Sequence, residues 1–312
     1  MTAPGAHPEY AASEQRLWRS LHAEPVEHRV SLPRLGTTAR VQELGAGPPV
    51  LFLHGGSTSG TSWADLAIRL PGFRCLLVDR PGTGLSDPLA HRVGDLDGLT
   101  ALGDVLVQDL LDALELASAS IVATSFGGYF ALRAALAVPE RVGRMAFLGW
   151  TAGSPVGRLP PMMRAGTAPL LGELFARLPA GTRTVRSIFR GIGLSRALDA
   201  GRISDEAVAA YAALLRHTPT LTNDLALGRL FLSPVRGLDP RLALSPADRS
   251  RIRTPTLFLW GDADPFGGAD VARAFVEPFP DARLDLVPDA GHAFWMEDPT
   301  RAAAAVGAFL GA

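Results

Sequence analysis

The chain has 312 residues, 47% of them hydrophobic, and a formal net charge of −1. That length suffices for one large core, or one core with an appended lid, and the lack of a basic excess argues against a nucleic-acid partner. All 30 cationic residues are arginine, so a P-loop lysine, a Schiff-base lysine and a serine–lysine pair are excluded.

The single cysteine, Cys75, has no intramolecular disulfide partner. It lies in the apolar run Cys75–Val78, where a buried small hydrophobe is expected rather than a reactive thiol. The N-terminus lacks a basic stretch followed by an apolar one, and no apolar run is long enough to cross a bilayer. A cytoplasmic protein with no membrane partner is the expectation.

In chain order, residues Glu9 to His22 read as a short amphipathic helix or a loosely held extension, a segment that could also close a pocket. Strands are predicted at His28–Arg34 and Thr38–Leu44 around a Leu35-Gly36 turn. Strands and helices then alternate: Val50–His54 with Trp63–Leu70, Cys75–Asp79 with Leu99–Leu116, and Ser120–Thr124 with Phe126–Ala137, followed by a strand at Arg144–Gly149. Alternation of this kind implies a mainly parallel sheet covered on both faces by helices. From about Thr151 to Ser250 the pattern is helical only, with candidates at Leu171–Arg177, Thr184–Gly191, Ser204–Arg216 and Leu221–Leu230. Strand–helix alternation resumes with Thr256–Trp260, Ala269–Phe279, Arg283–Val287 and a last helix Pro299–Leu310. The division expected is an extension over residues 1–27, a catalytic domain formed by 28–150 and 251–312, and a helical cap over 151–250.

The densest chemical signal is Ile121-Val122-Ala123-Thr124-Ser125-Phe126-Gly127-Gly128. An apolar β-branched run ends in a serine flanked by small residues and passes at once into a helical pattern. This is the wording of a nucleophile elbow, with Ala123 in place of its first glycine. Upstream, Val50–Leu53 opens into His54-Gly55-Gly56-Ser57. Downstream, Thr256–Trp260 ends in Gly261-Asp262-Ala263-Asp264-Pro265, and Leu284–Pro288 leads into Asp289-Ala290-Gly291-His292. Serine, acid and histidine therefore follow one another, each just beyond a strand. Val78-Asp79-Arg80-Pro81-Gly82-Thr83-Gly84-Leu85-Ser86-Asp87 adds a D-x-x-G-x-G-x-S loop.

With these five segments in this order, the chain resembles capped serine hydrolases of the α/β-hydrolase fold, from about Val30 to its C-terminus. The resemblance implies Ser125 as nucleophile and His292 as general base. The family spacing Gly-x-x-Asp selects Asp264 over Asp262 as the acid that orients the histidine. The loop after Arg144–Gly149, which supplies the acid in some relatives, offers no carboxylate here. The backbone N–H groups of Gly56 and Phe126 are the implied oxyanion donors. His54 is expected to order that loop rather than act as a base, and His7, His22, His28, His91 and His217 lie outside any motif.

Gly55, Trp63, Trp150, Phe266 and Trp295 are expected to contact substrate. Phe126 and the insertion's Met162, Met163, Phe175 and Phe189 are further candidates for the pocket lining. Arg164, Arg186 and Arg190 are read as solvated faces rather than anion ligands.

The expected reaction is hydrolysis of a small-to-medium, largely apolar carboxylic ester or thioester through an acyl-enzyme, as in a carboxylesterase. The alternatives on the same triad are a C–C bond hydrolase, an acyltransferase, a non-hydrolytic biosynthetic catalyst and a ligand-binding receptor. Haloalkane dehalogenases and epoxide hydrolases carry aspartate where Ser125 stands, and Ser57 departs from the proline iminopeptidase pattern. Gly82-Thr83-Gly84 fails as a dinucleotide loop because Asp87 takes the place of the third glycine. No metal and no cofactor are expected, the partner is a small-molecule substrate, and a homodimer is left open.

Overall fold

The computed structural model describes residues 7–156, 166, 168, 180–233, 235 and 237–312. The predicted helix Leu171–Arg177, with Met162, Met163, Arg164 and Phe175, lies outside the described residues.

The sheet grows from short apolar runs. The strands are β1 (Val26–Leu32), β2 (Thr37–Leu44), β3 (Pro49–Leu53), β4 (Arg74–Val78), β5 (Ala119–Thr124) and β6 (Val142–Thr151). A two-residue ribbon, β7 (Leu232–Ser233) and β8 (Gly237–Leu238), stands apart, and β9 (Thr256–Gly261) and β10 (Ala282–Val287) complete the set. The main sheet has eight strands in the order β1-β2-β4-β3-β5-β6-β9-β10. Within it β2 pairs antiparallel with β1 and β4, and the other pairings of this sheet are parallel.

The two-residue period of a strand sends alternate side chains to opposite faces, and β3 shows the result. Leu51 and Leu53 enter one core, Val50 and Phe52 the other, all fully buried. A strand buried on both sides has no polar face to show, which explains the unbroken apolar runs.

One face is covered by α3 (Leu96–Ala113), α4 (Ser125–Ala137) and α10 (Ala269–Val276). The other is covered by α1 (Pro8–Ser20), α2 (Ala64–Ala67) and α11 (Pro299–Leu310). Local chemistry fixes their starts: Asp95 accepts from the N–H of Gly98 at 2.8 Å to open α3, and Asp298 accepts from Arg301 N at 3.0 Å, one residue before Pro299, to open α11. Between β6 and β9 lie α5 (Thr182–Gly191), α6 (Ser195–Asp199), α7 (Asp205–His217), α8 (Thr220–Gly228) and α9 (Pro246–Arg251). The helical reading of this stretch is borne out at α5, α7 and α8. The short α6, α9 and the ribbon have too few residues to show a period.

The N-terminal segment is a packing element and not a loose tail. Tyr10, Glu14, Leu17 and Trp18 are buried, and α1 packs along α7. Glu14 holds Arg40 of β2 at 2.5 Å, both side chains being nearly solvent-free, and accepts from Tyr10 at 2.8 Å and from Thr61. Arg40 also reaches Asp79 at 3.3 Å, whose other oxygen accepts from Gly60 N at 2.7 Å. Burial alone would push the Glu14 carboxyl up; the Arg40 charge and these hydrogen bonds hold it below its usual value.

Removing one partner of a buried ion pair leaves the other uncompensated, at a cost of about 3–5 kcal/mol, whereas replacing both by apolar groups is often close to neutral. Glu14→Leu and Arg40→Leu are each expected to lower the urea-unfolding free energy by roughly 3 kcal/mol. The double variant should lose clearly less than the sum. An additive loss in the double would show that the pair does not act as a unit.

Candidate active site

β5 ends at buried Thr124, and α4 begins on Ser125 at a φ of +50°. A non-glycine residue held there costs on the order of 1–3 kcal/mol and persists only where its surroundings fix it. Those surroundings are main chain. A Cβ on Gly127 would lie 2.1 Å from the Leu53 carbonyl oxygen and 2.5 Å from that of His54. Gly55 sits directly over the serine, where a Cβ would meet the Ser125 Cβ at 3.0 Å. The elbow and the loop after β3 interlock because neither carries a side chain at the crossing.

His292 follows β10. Its Nδ1 lies 2.9 Å from Oδ2 of Asp264, whose side chain is completely buried. The same oxygen accepts from Trp150 N at 2.8 Å, and Oδ1 accepts from Phe266 N at 2.9 Å. Nδ1 is therefore the protonated nitrogen and Nε2 the basic one. Asp262 is exposed and takes no part. The Phe266 ring packs 4.5 Å from the imidazole.

Gly291, just before the histidine, has an ordinary φ and is needed because the insertion comes close: a Cβ would lie 2.7 Å from Cα of Gly193. His292 N donates to the Ile192 carbonyl in the same contact, at 2.9 Å.

Ser125 and His292 both open into one cavity of about 860 Å³, with no hydrogen bond between them. In unliganded sites such bonds are commonly long and tighten on binding. The N–H of Phe126 lies in the first turn of α4 and has no intrahelical acceptor. That of Gly56, an exposed residue of the cavity wall, has no acceptor among the described residues.

The loop bearing Gly56 is held from beneath. His54 Nε2 accepts from Arg80 N at 3.1 Å, so Nδ1 carries the proton and donates to the Gly55 carbonyl at 2.8 Å. From above, Asp224 of α8 accepts from Ser57 N at 2.5 Å and pairs with Arg80 at 3.0 Å. Arg80 donates in turn to the Gly55 carbonyl at 3.0 Å. Sequence reading missed Asp224: nothing in its helical neighbourhood marks it out. Arg80, by contrast, stands inside the D-x-x-G-x-G-x-S segment.

Of the expected contact residues, Gly55, Trp150, Phe266 and Trp295 line the cavity, as do Phe126 and Phe189. Trp63 does not. It is fully buried in the core between Phe52 and Trp295, at ring distances of 5.8 and 4.7 Å. Arg186 and Arg190 pair with Asp205 and Asp199 at the surface, as a solvated face should. Among the described residues no group of three or more His, Cys, Asp or Glu could hold a metal ion, and no helix is long and apolar enough to cross a membrane.

A family model described as the alpha/beta hydrolase fold matches residues 48–299. The chain belongs to that family. Among its curated relatives, a 2-hydroxy-6-oxononadienedioate/2-hydroxy-6-oxononatrienedioate hydrolase of Paraburkholderia phymatum is 30% identical over 82% of this chain and 86% of its own. A 2-hydroxy-6-oxo-6-phenylhexa-2,4-dienoate hydrolase of Burkholderia cepacia is 28% identical over 81% and 84%. Among solved structures, a Bacillus subtilis carboxylesterase superposes with a TM-score of 0.75 at 19% identity, over 97% of this chain and 98% of its own. The 2-hydroxy-6-oxo-6-phenylhexa-2,4-dienoate hydrolase of Rhodococcus sp. strain RHA1 also reaches 0.75 at 19%, over 93% and 99%. At such identities the structures show a shared fold and no more. This alpha/beta hydrolase is thus an enzyme of the hydrolase class by family.

His54 makes a pH-dependent contribution to stability. Burial first, and then the Arg80 charge, hold its pKa well below the usual value against the pull of the Gly55 carbonyl. The unfolded chain gains a proton on His54 as pH falls through about 6.5, and the folded chain does not. Stability is therefore lost on acidification below that point, by up to about 1.4 kcal/mol per pH unit from this residue. Urea melts of His54→Gln between pH 7 and 5 should decline less steeply than wild type; parallel decline would show that His54 is protonated in the folded state.

Proposed function

We propose that this chain is a serine hydrolase in which Ser125 attacks a substrate carbonyl, His292 takes the hydroxyl proton, and Asp264 orients the imidazole. One observation carries the reading. An imidazole bound through Nδ1 to a buried carboxylate opens on the same cavity as a serine held at positive φ on an elbow. A serine hydroxyl is a weak nucleophile until a base removes its proton. The N–H groups of Gly56 and Phe126 would meet the charge that develops on the carbonyl oxygen. Collapse of the tetrahedral intermediate sends the proton from His292 to the leaving atom. Water then attacks the acyl-enzyme by the reverse route, so that R–CO–X and water give R–COOH and HX. Residues 151–250 act in this reading as a cap over the site.

The bond broken is proposed to be carbon–carbon, next to a ketone, with X a carbon able to carry negative charge until it is protonated. Support comes from the curated relatives aligned over most of the chain, which are named as hydrolases of 2-hydroxy-6-oxo dienoates. A second reading, a carboxylic ester or thioester, is favoured by the cavity itself. Its described lining is mainly apolar and holds no arginine, whereas a dienoate carries at least one carboxylate that a buried site must pair.

The deciding experiment sets 2-hydroxy-6-oxo-6-phenylhexa-2,4-dienoate beside p-nitrophenyl esters, thioesters and lactones, with Ser125→Ala as the blank. Serine-dependent loss of the dienoate supports carbon–carbon cleavage; turnover of the esters alone supports the second reading. A fluorophosphonate probe should label wild type and not Ser125→Ala. Failure of wild type to label, together with no turnover, would leave a ligand-binding protein. Asp264→Asn is expected to lower kcat by about 10⁴ through loss of the correct tautomer, with folding intact.

A further inference from the structure

The matched family region begins at residue 48, so α1 lies outside it, yet α1 reaches the site. Tyr10 and Leu17 of α1, with Leu21 just beyond it, line the same cavity as Ser125 and His292. Ala207, Tyr211 and Leu214 of α7, the helix against which α1 packs, line it as well.

Polar side chains tie α1 to the loop over the serine and to the sheet. Tyr10 Oη lies 2.9 Å from Ser59 Oγ, four residues after Gly55 on the loop over the serine, while Glu14 is locked to Arg40 of the sheet. Such a helix is a wall and not a lid.

The chemistry of that wall is uncharged. Leu17 and Leu21 are aliphatic, and the Tyr10 hydroxyl is already bonded to Glu14 and Ser59. The cavity's described acids are paired, Asp65 with Arg69 and Asp224 with Arg80.

We infer that α1 sets the length limit of the substrate: Leu17 and Leu21 form the end-stop for an uncharged alkyl or aryl substituent that runs from the reacting carbonyl past the 55–62 loop. This rests on the hydrolase reading for its chemistry, though not for its geometry. The substituent belongs either to the acyl half or to the leaving half, and the two are separated by experiment.

In the full-length protein, kcat/KM is measured for Leu17→Ala, Leu21→Ala and Leu21→Trp on two series. One is p-nitrophenyl esters of increasing acyl length, the other acetate esters of increasingly long alcohols. Each methylene newly accommodated is worth about four-fold in binding, so two give about fifteen-fold. The alanine variants should therefore shift the optimum in one series by about two carbons toward longer chains, and Leu21→Trp should shift the same series toward shorter ones.

A merely structural role would not move the optimum in opposite directions. Labelling of Ser125 by a small fluorophosphonate should stay at the wild-type rate. Should no variant or wild type hydrolyse any ester, the end-stop is read from binding of methyl ketones of graded length by tryptophan fluorescence, with the same displacements expected. Should Leu17→Ala prove unfolded, Leu17→Val takes its place. Length profiles unchanged in every variant, with Ser125 still labelled or the ketones still bound, would overturn the inference and leave the hydrolase reading standing.

Discussion

The site depends on main chain touching main chain at the carboxyl edge of a parallel sheet. Gly127 lies against the carbonyls of Leu53 and His54, Gly55 over Ser125, and Gly261 against the carbonyl of Ala290. A Cβ on Gly127 would lie 2.1 Å from the Leu53 carbonyl oxygen and one on Gly261 2.3 Å from that of Ala290, while one on Gly55 would crowd the Ser125 Cβ at 3.0 Å, so these glycines are what lets the three loops approach. The strained φ of Ser125 is a consequence: the residue has nowhere else to go once the strand ends are in place. The geometry of the candidate site is thus bounded by backbone packing, and the polar side chains are added to it.

Charge is handled by pairing on both sides of that edge. Arg40 is shared among Glu14, Asp79 and Glu27, and Arg80 lies with Asp224 over the rings of Phe126 and Phe130. Each cluster joins elements far apart in the chain and ends on a loop amide, Gly60 N or Ser57 N. In a chain without lysine, the planar guanidinium suits this task, since it satisfies several acceptors in one buried position.

What the sequence made legible follows from the range over which the physics acts. Strand–helix alternation, the elbow at Ser125 and the Gly-x-x-Asp and Gly-His segments are local, and all lie where they were expected. Asp264 bonded to His292 is a long-range pairing, legible only because each partner sits in its own short motif. Asp224 has no such motif. Its role comes from a contact with Ser57, 167 positions away, and periodicity carries no trace of that. Trp63 was misplaced for a related reason: an aromatic beside a glycine-rich loop reads the same whether its short helix turns that ring to the cavity or to the core. The helix at Pro8–Ser20 was visible, but its packing along α7 and its ion pair with Arg40 of β2 join distant segments that local spacing does not pair.

Among the described residues, two of the contacts that tie the segment between β6 and β9 to the rest of the molecule fall on the loops of the candidate site. At one, the carbonyl of Ile192 receives the amide of His292; at the other, the carboxylate of Asp224 receives the amide of Ser57. Swinging this segment away as a single plate would pull on both at once, displacing the imidazole of His292 and the Gly55–Ser57 loop together. A movement that leaves both loops in place must therefore keep residues 192–193 and 224 seated, as a door turns only where its hinge pins stay in the frame.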